Sequence, residues 1–129
     1  MIFHTRPILE AILPINLKSQ NTGRGNAWYG TAEARRAMQE ALYPEYNRND
    51  PFDYPVGVLY TRVCGVGQRS WDNDNLAISC KQLQDALTAL GWWHDDSDKW
   101  LRCLAYRHDT SRRQQGPAVM VSVFRLEDE

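Results

Sequence analysis

The clearest pattern in the chain is the apolar series Leu76, Cys80, Leu83, Leu87 and Leu90, at spacings of 4, 3, 4 and 3. These positions form one face of an α-helix. Asp74 or Asn75 is its expected cap, and Gly91 stands where a C′ glycine ends a helix. A second helix is predicted over Ala32–Leu42, with Thr31 as N-cap, Glu33 in the first turn and Pro44 as its stop. Ile8–Ile15 reads as a strand ended near Pro14, and the β-branched, apolar Val56–Cys64 as a buried strand. Two more strands are expected over Trp100–Tyr106 and Ala118–Leu126. Between these elements lie a polar loop or hairpin over Asn16–Gly30 (with Gly23 and Gly25), a loop over Tyr46–Pro55 rich in Asn, Asp and Pro, and a basic loop over Arg107–Pro117. The sum is an α+β chain, residues 1–129 as a single domain, with a mixed sheet of about four strands and two main flanking helices.

Composition narrows this further. With 43% hydrophobic and 24% charged residues in 129, wholesale disorder is excluded and the chain is long enough to bury a core. The net charge of −1 argues against a nucleic-acid binder of the simple basic kind. The distribution says more than the sum. Acids gather in Asp72–Asp98 and Glu127–Glu129, while arginines gather at Arg35–Arg36, Arg102, Arg107 and Arg112–Arg113, which suits a polyanion partner. For any single arginine, a solvated surface charge is the better reading. Three cysteines with no C-x-x-C support neither a disulfide framework nor a zinc ribbon, and Cys80 on the apolar stripe is expected to be a buried thiol. Reduced cytoplasm is the natural compartment. His4, Arg6, Pro7 and Glu10 break any signal-peptide core, and no apolar run approaches the ~18–20 residues that span a bilayer, so no membrane is expected.

The string that carries chemistry is Trp71-Asp72-Asn73-Asp74-Asn75-Leu76, then Lys81, then Asp85-Ala86-Leu87, Gly91 and Asp95-Asp96. Asp72 and Asp74 fall at the start of the predicted helix. If the short extended segment between the helix and Asp95–Asp96 folds back as a strand beside the one before Asp72, the two acidic groups can converge. Clustered carboxylates repel and call for a cation, and hard oxygen donors without Cys or His select Mg²⁺ or Mn²⁺. Asp72, Asp74, Asp95 and Asp96 are the candidate ligands. A metal held this way suits phosphodiester cleavage, and Lys81 would add a cation near the phosphate. Plainer readings exist for each residue. Asp72 and Asp74 serve equally as a turn and a cap, Lys81 as a solvated lysine with Asp85 as its i,i+4 partner, and Asp95–Asp96 as a polar turn. A calcium loop is excluded, because Ala77 and Leu83 stand where its glycine and glutamate belong. Gly65-x-Gly67 lacks the rest of a nucleotide loop, His94 and His108 have no zinc partners nearby, and Trp92–Trp93 read as core rather than a base-stacking platform.

Taken as an ordered set, Asp72-x-Asp74-Asn75-Leu76, Lys81, Asp85-Ala86-Leu87, Gly91 and Asp95-Asp96 resemble the RusA family of Holliday-junction resolvases. The resemblance covers Trp71–Asp98 well and residues 1–55 only in outline. It implies a homodimeric, Mg²⁺-dependent endodeoxyribonuclease that binds four-way DNA junctions and makes paired incisions. The family's catalytic aspartates fall on Asp72, Asp74 and Asp96, with Asp95 adjacent, and its lysine on Lys81. In the best-known form of the motif that lysine stands where this chain has Ile78; Lys81 lies one turn later, as in a longer-spaced branch. Phosphate contacts are then expected from Arg35, Arg36, Arg112, Arg113, Lys18 and Arg24 as a group. The alternative is a branched-DNA-binding dimer of the same fold that does not cut.

Overall fold

The strand Val56–Val63 holds the molecule together, because it pairs on both sides. In a computed structural model, which describes residues 6–19 and 31–126, the elements follow in the order β1 (Leu9–Leu13), α1 (Thr31–Tyr46), β2 (Val56–Val63), α2 (Asn73–Ser79), α3 (Lys81–Ala89), β3 (Leu101–Asp109) and β4 (Ala118–Arg125), with a short 3₁₀ turn at Arg113–Gln115. The strands form one four-stranded sheet in the order β1-β4-β2-β3. β4 is antiparallel to both β1 and β2, whereas β2 and β3 run parallel. The parallel pair needs a crossover, and α2 and α3 supply it. This is the expected α+β architecture with a mixed sheet. Among the described residues, no helix is long and apolar enough to cross a membrane.

The alternation of β2 and β4 sets the core. Val56, Val58 and Tyr60 on β2 and Val119, Val121 and Val123 on β4 face the helices, joined by Leu13 from β1. Leu76, Cys80, Leu83, Leu87 and Leu90 close this core from the helical side, each no more than 2% exposed. Fully burying one such leucine stabilises the fold by about 1.5–3 kcal/mol. Trp92 and Trp93 are core, as the sequence suggests. Each indole N–H still finds an acceptor, Trp92 in the Tyr46 carbonyl (2.8 Å) and Trp93 in the Thr88 hydroxyl (2.6 Å). Cys80 is the expected buried thiol, its pKa pushed up to about 12 by burial.

Several boundaries differ from the sequence reading. The apolar stripe is continuous, but the backbone divides at Cys80 into α2 and α3. The cap of α2 is Asp72, not Asp74 or Asn75, because the helix begins at Asn73. Thr31 is the first residue of α1 and not its cap, and α1 runs past Leu42 to Tyr46 with Pro44 in its last turn. A proline there removes one late backbone bond. Long-range contacts offset it: the Tyr46 hydroxyl donates to the Ile12 carbonyl (3.2 Å), and the Tyr46 carbonyl accepts from Trp92. β3 continues to Asp109, three residues beyond Tyr106, because Arg107, His108 and Asp109 pair with Thr61, Arg62 and Val63 of β2. The loop or hairpin expected over Asn16–Gly30 lies largely outside the described residues.

Candidate functional site

The chain leaves β2 at Val63 and crosses an irregular stretch to reach α2 at Asp72. There the Asp72 carboxylate accepts a hydrogen bond from the Asn75 amide (2.8 Å), closing the first turn. Asp74 lies in that turn, so both carboxylates stand exposed at the same end of α2. Asn75 is buried instead, and its side-chain amide donates to the Ser19 hydroxyl (2.7 Å), tying the segment after β1 to this end of the helix. Spacing alone does not reveal that bond between Asn75 and Ser19.

Because the Asp72 cap is a hydrogen bond as well as a charge, its two roles are separable. Asp72→Ala is expected to lower unfolding stability by about 1 kcal/mol, while Asp72→Asn, which keeps an acceptor, is expected to cost a few tenths. Urea unfolding of the three proteins checks this. Equal losses for Ala and Asn would show that the cap bond contributes nothing.

Lys81 opens α3. Its ammonium lies 3.0 Å from Asp85 Oδ1 and 3.0 Å from Asp96 Oδ2. The expected i,i+4 pair with Asp85 is therefore present, and Asp96 joins it from the turn after α3. Partial burial opposes the charge on Lys81, but the hydrogen bonds and charges of Asp85 and Asp96 outweigh it and raise the lysine's pKa. A raised lysine pKa stabilises the fold at every pH below the ordinary lysine value and is lost only as pH rises through the raised one. Lys81 is 52% exposed, so the whole arrangement is worth little to stability. Asp95, next door, is held below the usual carboxylate range by hydrogen bonds from the Ser97 side chain and amide.

The short segment between α3 and Asp95–Asp96 does not become a strand; it makes only an isolated bridge, Trp93 to Phe52, and the strand beside β2 forms after Asp96. The direction of that strand works against convergence of the acids. β3 is parallel to β2, so Leu101, which follows the acidic turn, pairs with Val56 at the start of β2, whereas Asp72 follows the far end of β2. Lys81 lies seven residues after Asp74, across the break between α2 and α3 at Cys80. Asp72 and Asp74 thus form one group, and Asp85, Asp96 and Lys81 another. Among the described residues, no three His, Cys, Asp or Glu side chains stand close enough together to hold a metal ion.

The expected phosphate-binding residues divide by their contacts. Arg35 and Arg36 are exposed on α1, and Lys18 is exposed after β1. Arg112 is paired with Asp109 (2.8 Å) and also meets Met120 Sδ. Arg113 donates to the carbonyls of Gly65 and Gln68, both at 2.7 Å, and so pins the β2–α2 connection. Arg24 lies outside the described residues. His94 is drawn to Asp53 (3.3 Å) and packs on Trp100 at 4.5 Å between centroids.

No protein-family model matches the chain, and no curated protein matches it.

Proposed function

We propose that the protein is a metal-dependent endodeoxyribonuclease acting on branched DNA as a homodimer in reduced cytoplasm. The observation that carries this reading is the pairing of Asp72 with Asp74 at the exposed start of α2, with Lys81 holding Asp96 further along the same helical unit. The ordered motif resembling RusA-type resolvases supplies the reaction class. Mg²⁺ is commonly bound through one or two carboxylates, with water and substrate phosphate completing its shell, so Asp72 and Asp74 fit it in number and in donor type. Mn²⁺ has the same oxygen preference. The bound ion would supply a lowered water pKa and charge stabilisation at the phosphate.

The chain's own residues then have separable roles. Asp72 and Asp74 bind the metal. Asp96, with Asp95 beside it, is the third carboxylate of the motif; it pairs with Lys81 and stands apart from Asp72 and Asp74. The Lys81 ammonium would stabilise negative charge on the phosphate oxygens. Two incisions across a two-fold junction call for two copies of the site related by a two-fold axis, which is the reason for the dimer.

Arg35 and Arg36 are the best-placed phosphate contacts, being exposed and close together on α1. Changing both to Ala is expected to flatten the plot of log Kd for a junction against log salt by roughly 1.8, near 0.9 for each phosphate no longer neutralised. An unchanged slope would remove α1 from the DNA interface.

The test of the reading itself is incubation of the protein with a labelled four-way junction and Mg²⁺ or Mn²⁺, beside a linear duplex and an EDTA control. Paired, metal-dependent nicks confined to the junction are expected. A second reading, a junction-binding dimer that does not cut, is favoured by one observation: no group of three acids is assembled among the described residues. Tight junction binding with no cleavage under any of these conditions would establish it and overturn the first.

A further inference from the structure

The nine residues from Cys64 to Asp72 connect β2 to α2 with little regular structure and little burial beyond Gly65; Val66 is 81% exposed. Side chains from other elements do most of the holding. The Gly65 amide donates to Gln68 Oε1 (2.8 Å), and Gln68 reaches Asn16 (3.0 Å). Arg113 binds the carbonyls of Gly65 and Gln68. Arg62, a β2 residue only 4% exposed, donates to the Arg69 carbonyl (2.8 Å) and stacks over the Trp71 ring at 3.6 Å. The last backbone anchor before Asp72 is different in kind. The Trp71 amide donates to Nε2 of His108 (3.2 Å), whose ring meets the Trp71 indole edge-on at 6.0 Å.

We propose that His108 is a positioning residue for the Asp72–Asp74 pair: by accepting the Trp71 amide hydrogen from the neighbouring edge strand, it fixes the direction in which the chain enters α2. This rests on the reading of Asp72 and Asp74 as metal ligands. The peptide plane that His108 holds lies one residue before Asp72, so a shift there moves the carboxylate and the cap together. An Nε2 that accepts must carry no proton, which places the ring hydrogen on Nδ1. Burial and the Arg62 charge both hold His108 below the ordinary histidine pKa, so the accepting form prevails at neutral pH. Arg62 and His108 are also register partners on adjacent strands, and together they grip Trp71 from its face and its backbone.

The test compares wild type, His108→Ala and His108→Gln, in which Gln offers a side-chain oxygen as acceptor. Amide resonances of Trp71, Asp72, Asp74 and Asn75 are followed while Mn²⁺ is added, reading paramagnetic broadening; a dispersed spectrum certifies that each variant is folded. In wild type, Asp72 and Asp74 are expected to broaden first. His108→Ala is expected to need roughly tenfold more Mn²⁺, the usual scale for losing a group that orients a ligand, and His108→Gln is expected to recover most of that loss. The same ordering is expected in the Mg²⁺ concentration for half-maximal junction cleavage, with junction affinity unchanged. If folded His108→Ala takes up Mn²⁺ like wild type, or if Gln is as impaired as Ala, the positioning role is overturned and the metal site stands. If wild type itself shows no selective broadening at Asp72 and Asp74, the metal-site reading falls and takes the positioning role with it.

Discussion

Asp74→Asn is expected to cut Mg²⁺-dependent junction cleavage by about a thousandfold or more, equivalent to ~4 kcal/mol of lost transition-state stabilisation, while junction binding is retained. Asn keeps the shape of the side chain and one oxygen but removes the charge that recruits the cation. Asp74 is the better of the two carboxylates for this measurement because it does not cap α2; Asp72 does. The loss of a negative charge in the first turn costs only a few tenths of a kcal/mol to about 1 kcal/mol of stability, so a collapse of activity cannot be assigned to unfolding. Single-turnover cleavage of a labelled junction gives the rate, and a gel shift in Ca²⁺ gives the affinity. Activity within about tenfold of wild type, against the ~4 kcal/mol expected, would mean that Asp74 does not hold the ion, and the proposed reaction would lose its main support. Loss of junction binding along with cleavage would instead place Asp74 in the fold or the DNA surface.

What the sequence reveals about the fold depends on how local each signal is. The stripe from Leu76 to Leu90 is a local repeat, and all five residues are buried as it demands. Val56–Val63 is legible because a strand paired on both sides is mostly apolar, although Thr61 and Arg62 are buried with it. The division of the helix at Cys80 is not legible, since the side-chain pattern runs through it unchanged. Nor is the extra turn of α1, which depends on Tyr46 meeting Ile12 and Trp92, 34 and 46 residues away. A rule that stops helices at proline fails there because the stabilising partners are tertiary.

The site follows the same logic. That Asp72 and Asp74 sit together at a helix start follows from their spacing, and so does the Lys81–Asp85 pair. The place of Asp96 depends on strand direction, which no residue near it encodes: an antiparallel β3 would carry the turn toward the end of β2, and the parallel one carries it toward the start. Asp96 consequently meets Lys81. Arg112 and Arg113 look like phosphate contacts in sequence because they are basic and lie in a loop. Their acceptors, Asp109 beside them and Gly65 and Gln68 nearly fifty residues back, emerge only when the β2–α2 connection folds over the 3₁₀ turn. His108 carries no signal at all in sequence, because its function is to accept one amide hydrogen 37 residues away.

Gly91→Ala is expected to be among the most damaging single substitutions in the protein, and Gly67→Ala supplies its control. Both glycines have positive φ, +83° at Gly67 and +85° at Gly91. An alanine in that conformation costs about 1–2 kcal/mol from backbone strain alone. At Gly67 nothing lies within 4 Å of the added Cβ, so the loss should stop there. At Gly91 the Cβ would land on the Arg48 carbonyl oxygen. That carbonyl belongs to a residue whose own amide donates to the Leu90 carbonyl (2.8 Å), so the clash sits where α3 ends against the segment following α1. Backbone must move, and with it the cap of α3 and the seat of Trp92. The expected loss is on the order of 3–5 kcal/mol, the range reached when strain combines with broken packing. Urea unfolding of the two variants reads the difference directly, since the φ contribution is common to both. Equal losses would mean that the chain around Arg48 yields easily, and that Gly91 is needed only for its φ.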